Sequence, residues 1–241
     1  MRVALTQSPL RSTGRPVDVP VAIASWMGAW IVGQIVAVAF YAASGAETTD
    51  EIGIPYLFAG VAAGWIAYLV AMWLASRRSG SGDFVEDYAL RFRPIDVVGV
   101  PIGVLSQLVL VPLVYVPLAR LWPDTFSDDR LSENAEKLAD RAGGATMVLL
   151  VLMVCVGAPI VEELVYRGLL QGSFTARFNH VLAWLAAAVW FTVIHFRPVE
   201  YPGLFAFALV VGACMLVTKR LGMSVATHVA FNVTGLLLAV R

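Results

Sequence analysis

Long apolar runs alternate with short polar segments along this chain, and the runs have the length of membrane crossings. About 17–25 apolar residues span a bilayer as a helix. Seven segments are candidates: Val21–Ala43, Ile54–Ala75, Ile95–Ala119, Ala145–Leu170, Val181–Phe196, Gly203–Thr218 and Met223–Val240. The last three are short, which suits tilted, broken or partly enclosed spans. The expected fold is all-α, a polytopic transmembrane helix bundle of about seven spans, with eight as the alternative count. Gly99, Pro101, Gly103, Pro112 and Pro117 interrupt the third run and predict a bent helix. The longest polar segment, Leu121–Gly144, is acidic. It carries Leu131, Ala135, Leu138 and Ala142 at helical spacing, with Ser127 or Asp128 placed to cap a helix. A short helix along the membrane surface and a solvated connector both fit it.

Composition agrees with the pattern. The chain has 241 residues, 59% hydrophobic and only 14% charged, against roughly 25% charged in soluble domains. Its formal net charge of zero gives no polyanion-binding balance, so nucleic acid is not an expected partner; the lipid bilayer is. The two cysteines, Cys155 and Cys214, lie in apolar spans, too few for a disulfide framework or a cysteine zinc cage. The first run is too long for a signal peptide and reads as a retained span. With the N-terminus cytoplasmic, cytoplasmic segments hold eleven Arg and Lys and outer segments six. Arg2, Arg11 and Arg15 fall among the eleven and Arg241 among the six. The positive-inside rule therefore favours a multi-pass cell-membrane protein with a cytoplasmic N-terminus.

Polar residues interrupt three of the greasy runs. Glu162, Glu163 and Arg167 lie in the fourth, Phe191 and His195 in the fifth, His228 and Asn232 in the seventh. An ionisable group at the membrane centre costs roughly 2.5–3.5 kcal/mol on insertion scales, so such groups usually face a protein interior and do a job. Glu163 and Arg167 are four apart, the spacing of an intrahelical ion pair. Glu162 points about 100° away and stays free to act. Pro159 has no amide hydrogen, so the carbonyl of Cys155 is expected to lose its helical partner just before the acids. His195 and His228 follow on separate spans. Two imidazoles and a carboxylate are the ligand set of a hydrolytic zinc site, and equally a metal-free pair that activates water. Asn232 can donate to a developing oxyanion. Phe191 would wall the pocket.

Each residue also has a plainer role. An intramembrane histidine often only joins helices, an Asn near a helix end is often a cap or glue, and an i, i+4 Glu–Arg pair is often structural. His180 reads as an interfacial loop residue. Three motifs gathered in the last 80 or so residues favour one shared site over three unrelated packing roles. One geometric difficulty stands. A turn near Phe174–Arg177 leaves Glu162 and His195 roughly 10 Å apart along the membrane normal, at 1.5 Å per residue. Tilt, or a turn nearer His180, must close that gap.

The order Glu-Glu-x-x-x-Arg, Phe-x-x-x-His, His-x-x-x-Asn on successive membrane helices resembles the CPBP family, also called the Abi family. It comprises CAAX prenyl endopeptidases, bacteriocin-processing enzymes and lysostaphin-resistance-like membrane proteins. The resemblance covers about Ala145–Val240 and implies an intramembrane endopeptidase of a nominally metalloprotease family. It implies that Glu162 is the principal catalytic carboxylate and His195 its partner in activating water. His228 and Asn232 would then bind the oxyanion or position water, with Glu163, Arg167 and Phe191 in support. One divalent metal, zinc, on Glu162, His195 and His228 is one version of such a site; no cofactor at all is the other. The expected division is residues 1–140 as an N-terminal region of about three spans plus an interfacial loop, and 141–241 as a catalytic core of about four. Glu162 and His228 lie toward the cytoplasmic ends of their runs, so the site is expected on that side. Substrates would be a peptide or a membrane-associated protein. Competing readings are a non-catalytic immunity or scaffold protein on the same fold, and a proton-relay transporter, which the lack of an inverted repeat weakens.

Overall fold

The structure, a computed structural model, describes residues 16–240; Arg2, Arg11, Arg15 and Arg241 lie outside them. Every regular element is helical among these residues. The main elements are α1 (Val19–Ser44), α2 (Ile54–Ser79), α3 (Pro94–Leu121), α4 (Asp128–Asp140), α5 (Ala145–Arg177), α6 (His180–Val193), α7 (Tyr201–Thr218) and α8 (Gly222–Ala239), with short helical turns at Thr49–Glu51 and Phe84–Asp87. With the turn Pro198–Glu200 that leads into α7, six of them are long and apolar enough to cross a membrane.

The seventh expected span falls short. α6 has 14 residues, about 21 Å at 1.5 Å per residue, against a hydrocarbon layer of about 30 Å. Its end has a local cause. Phe196 takes a left-handed φ of 52°, and Pro198 follows with no amide hydrogen to continue the ladder. At the other end Asn179 caps the helix, its Oδ1 accepting from the Leu182 amide at 2.8 Å. The fourth run is longer than expected, because α5 continues to Arg177. Glu162 and His195 are therefore each fifteen residues from the α5–α6 turn, and the axial mismatch disappears.

α5 is the central helix. Its most apolar window is 44% buried, against 17%, 11% and 17% for α1, α2 and α3. All nine residues from Glu163 to Gln171 are buried, and this stretch winds as a wide π-type turn. Glu163, Arg167 and Gln171 form a polar stripe that answers carbonyls on α7. Arg167 Nη2 donates to Ala208 O at 3.2 Å and Gln171 Nε2 to Gly212 O at 3.0 Å. A helical carbonyl has a second lone pair for such a donor. Gly212 is required there, since a Cβ would meet the Trp184 ring at 2.6 Å.

Elsewhere small residues bring helices together. A Cβ on Gly33 of α1 would sit 3.5 Å from the Gly64 Cα of α2, the close approach by which helices pack in lipid. Gly99 and Gly103 of α3 lie against the α8 backbone at Met223 and Thr227. The irregularity expected in α3 appears as a tight first turn, Pro94–Val98, and a wide one, Ser106–Leu110. Ile35, Ile66, Leu113 and Val217 point outward, as a lipid-facing surface requires.

α4 is a helix rather than a connector. Its Leu138 and the following Ala142 pack on Ile54, Leu150 and Met153. Ser127 occupies the N-cap position without a side-chain cap bond. Lys137 Nζ reaches Asp50 Oδ2 at 3.1 Å, and Arg141 Nη1 donates to Asp50 O at 2.7 Å. The α1–α2 loop thus straps α4 across one end of the bundle.

Candidate active site

Glu163 is fully buried, and its Oε1 takes two donors. Arg167 Nη1 lies at 3.0 Å, the ion pair read from the i, i+4 spacing, and His228 Nδ1 lies at 2.7 Å. A carboxylate only accepts, so the His228 proton sits on Nδ1 and Nε2 is turned toward Glu162. Glu162 Oε2 is 3.7 Å from that nitrogen, beyond a direct hydrogen bond. The Glu162 side chain keeps 29% of its surface. The two neighbouring acids therefore have different environments: Glu163 is dry and held through Oε1, its Oε2 without a hydrogen-bond partner among the described residues, and Glu162 is partly open to the cleft.

The second histidine is oriented in a parallel way. His195 Nδ1 lies 2.7 Å from the Phe191 carbonyl, which also only accepts, so Nε2 is its free acceptor. Phe191 joins the parts. Its ring stacks 4.6 Å under the Arg167 guanidinium, lies 4.7 Å from the His195 ring and 6.0 Å from the His228 ring. Phe207 closes the other side of His228 at 5.1 Å.

Asn232 Nδ2 donates to Val154 O at 2.7 Å, and the reason lies in α5. The Ala158 amide reaches back five residues to Met153 O, a π-type step. In that register the next donor, for Val154, would be Pro159, which has none. The carbonyl freed by Pro159 is thus that of Val154, one residue before the expected Cys155, and Asn232 satisfies it. Asn232→Leu should destabilise the protein by about 1–3 kcal/mol through this orphaned acceptor. Unfolding in detergent would measure it, and a change under about 0.5 kcal/mol would remove the strut.

Glu162, His195, His228 and Asn232 border one cleft of about 370 Å3, with Asn134 and Leu138 of α4 at its rim. Leu57 and Val61 at the start of α2 and Leu204 near the start of α7 complete that end. The cleft faces the α4 end of the bundle, opposite the end where α1 begins. A cytoplasmic N-terminus and a cytoplasmic cleft are therefore mutually exclusive, because α1 crosses from the one end to the α1–α2 loop that holds α4 at the other. The α4 rim and Phe207 escaped sequence reading, since neither carries a charge or motif; only the helical spacing of Leu138 hinted at the former.

Metal fit can be read from the donors. Among the described residues no group of three His, Cys, Asp or Glu side chains is arranged to hold an ion. Glu162, His195 and His228 border the cleft without converging as a ligand set, and no step below is routed through a metal.

Six helices long and apolar enough to cross a membrane, with two carboxylates and two imidazoles gathered beside one cleft, define a multi-pass helical membrane protein. Residues 144–234 match the family model described as type II CAAX prenyl endopeptidase Rce1-like, which places this C-terminal region in the CPBP/CAAX protease family. No curated protein and no solved structure matches the chain.

Proposed function

We propose that this protein is an intramembrane endopeptidase that hydrolyses a peptide or a membrane-protein segment with a water activated by Glu162 and His195. The observation that carries the reading is the chain Arg167–Glu163–His228, which ends with Nε2 facing Glu162 across 3.7 Å. That pairing leaves Glu162 as the carboxylate without a fixed partner, at the edge of the cleft.

In this mechanism a water sits between Glu162 and His195 Nε2. Glu162 takes one of its protons as oxygen attacks the scissile carbonyl carbon. Charge developing on the carbonyl oxygen is met by the second Asn232 amide hydrogen and by His228, which donates from Nε2 when protonated there. The C–N bond then breaks, and Glu162 returns its proton to the leaving nitrogen. Glu163 acts as a positioning residue: it fixes the His228 tautomer and orientation. Leu57, Val61, Met153 and Leu204 give the cleft apolar walls, suited to a segment near the membrane. A farnesylated CAAX peptide, an unprenylated leader peptide and a transmembrane segment are the substrates to compare.

The test is cleavage by the reconstituted protein in proteoliposomes, with His195→Gln as the comparison. Loss of a general-base partner should lower the rate by about 100-fold or more. Cleavage that His195→Gln leaves unchanged, or no cleavage of any of the three substrate types, would favour a binding protein on this fold. Wild-type cleavage should persist in a strong chelator; loss to the chelator with recovery on added zinc would instead assign the water to a metal.

A further inference from the structure

A second and larger cavity lies away from the cleft. It is a groove of about 760 Å3 between the start of α3 and α8, and no residue lines both it and the cleft. α8 serves the two with different faces. His228, Phe231 and Asn232 look into the cleft, while Val225, Val229, Val233 and Leu237, each four apart, line the groove. From α3 come Val97, Val100 and Val104, and Phe92 and Arg93 stand at the mouth.

Three observations define what fits. The walls are almost wholly aliphatic, and they belong to two membrane helices whose outward residues, Val97, Val100 and Leu237, are exposed. Within a bilayer such a groove is filled by hydrocarbon, because no water is there to fill it. Its polar end is cationic. Asp96, the acid in the groove, is already held by Arg220 through Oδ1 at 2.6 Å and Oδ2 at 3.0 Å. Arg93 is exposed and pairs with no carboxylate among the described residues. Finally, the surrounding end of the bundle is basic: Arg77, Arg78, Arg177 and Lys219 sit at helix ends on the same side. Asp96 feels both Arg93 and Arg220, so this end keeps a net positive charge, and an apolar slot with an exposed guanidinium at its rim is complementary to an acyl chain carrying a phosphate.

We propose that the α3–α8 groove binds one anionic phospholipid, with an acyl chain along Val225, Val229 and Val233 and its phosphate on Arg93. The site is independent of the protease reading. It braces the helix that carries His228 and Asn232 against α3, at the point where Gly99 and Gly103 already bring the two backbones together.

The probe is phosphatidylglycerol against phosphatidylcholine of the same chains, offered at equal concentration to the intact protein in detergent and counted by native mass spectrometry. One phosphatidylglycerol should be retained at least tenfold over phosphatidylcholine. Arg93→Gln should remove that preference, and Ala226→Phe, which fills the groove, should reduce retention of both lipids. Arg78→Gln removes an exposed charge from the same end outside the groove and should change neither. A thermal-unfolding shift with phosphatidylglycerol, present in the wild type and Arg78→Gln but absent in Arg93→Gln, gives a second reading on folded protein. Equal retention of the two lipids, or equal losses from Arg93→Gln and Arg78→Gln, would reduce the groove to ordinary annular lipid and overturn the proposal. Soluble glycerophosphate that displaces the bound lipid would assign the site to the headgroup alone and overturn the acyl-chain part.

Discussion

Glu162→Gln should abolish peptide cleavage, with a rate loss of about 100- to 10,000-fold, while unfolding of the protein stays close to wild type. The first half follows from removing the proton-transfer group in a water-activating site. The second follows from the packing: Glu162 keeps 29% of its side-chain surface and makes no direct hydrogen bond to His228 across 3.7 Å, so little folding energy rests on it. Glu163→Gln is the informative contrast. Its carboxylate is fully buried and receives both Arg167 and His228, so the amide should lower stability and activity together. The two acids are adjacent in sequence, yet one variant should read as chemistry and the other as structure. Measuring cleavage and unfolding on each settles the assignment. Wild-type cleavage by Glu162→Gln would take this residue out of the reaction. The mechanism would then need another base, with His195 the remaining group free at Nε2.

Much of this arrangement is legible in the chain, and what is not has definite causes. Helices and their order follow from apolar run length, which the bilayer enforces. The Glu163–Arg167 pair follows from spacing, because four residues along a helix bring two side chains to one face. The gathering of Glu162, His195, His228 and Asn232 follows from the cost of a polar group in lipid, which leaves the interior as the alternative. Local register does not follow. Pro159 marks a missing donor, but whether Val154 or Cys155 loses it depends on a five-residue step that no single residue encodes. The tertiary partner of Glu163 is also invisible, since His228 lies 65 positions away. Cleft residues without charge, such as Leu57, Val61 and Phe207, look like any other apolar residue until the helices are placed. The cleft lies at the other end of the bundle from the one expected, and for Glu162 the cause is definite: counting residues from a run's edge misplaces a group when the helix ends seven residues further on, at Arg177 rather than Leu170.

Arg167→Ala should be the most damaging single change to folding, about 3–5 kcal/mol. Arg167 is 1% exposed and makes three separate contacts. One guanidinium nitrogen pairs with Glu163 Oε1, another donates to Ala208 O on α7, and the plane covers the Phe191 ring. Removing it leaves a carboxylate with 0% exposure beside a lone imidazole N–H, and stranding one partner of a buried pair is what carries this cost. Lysine should not substitute. An ammonium keeps the charge but lacks the planar fork that reaches Glu163 and Ala208 at once, and it stacks poorly on Phe191. Glu163→Gln combined with Arg167→Met removes both charges and keeps most of the volume, so the double variant should be more stable than Arg167→Ala alone. Unfolding in detergent of wild type, Glu163→Gln, Arg167→Met and the double variant gives the coupling directly. If the double variant is as unstable as the sum of its singles, Arg167 holds α7 rather than Glu163. If Arg167→Ala costs under about 1 kcal/mol, the pair is an ornament of the helix, and the His228 orientation must rest on Phe191 and Phe207 instead.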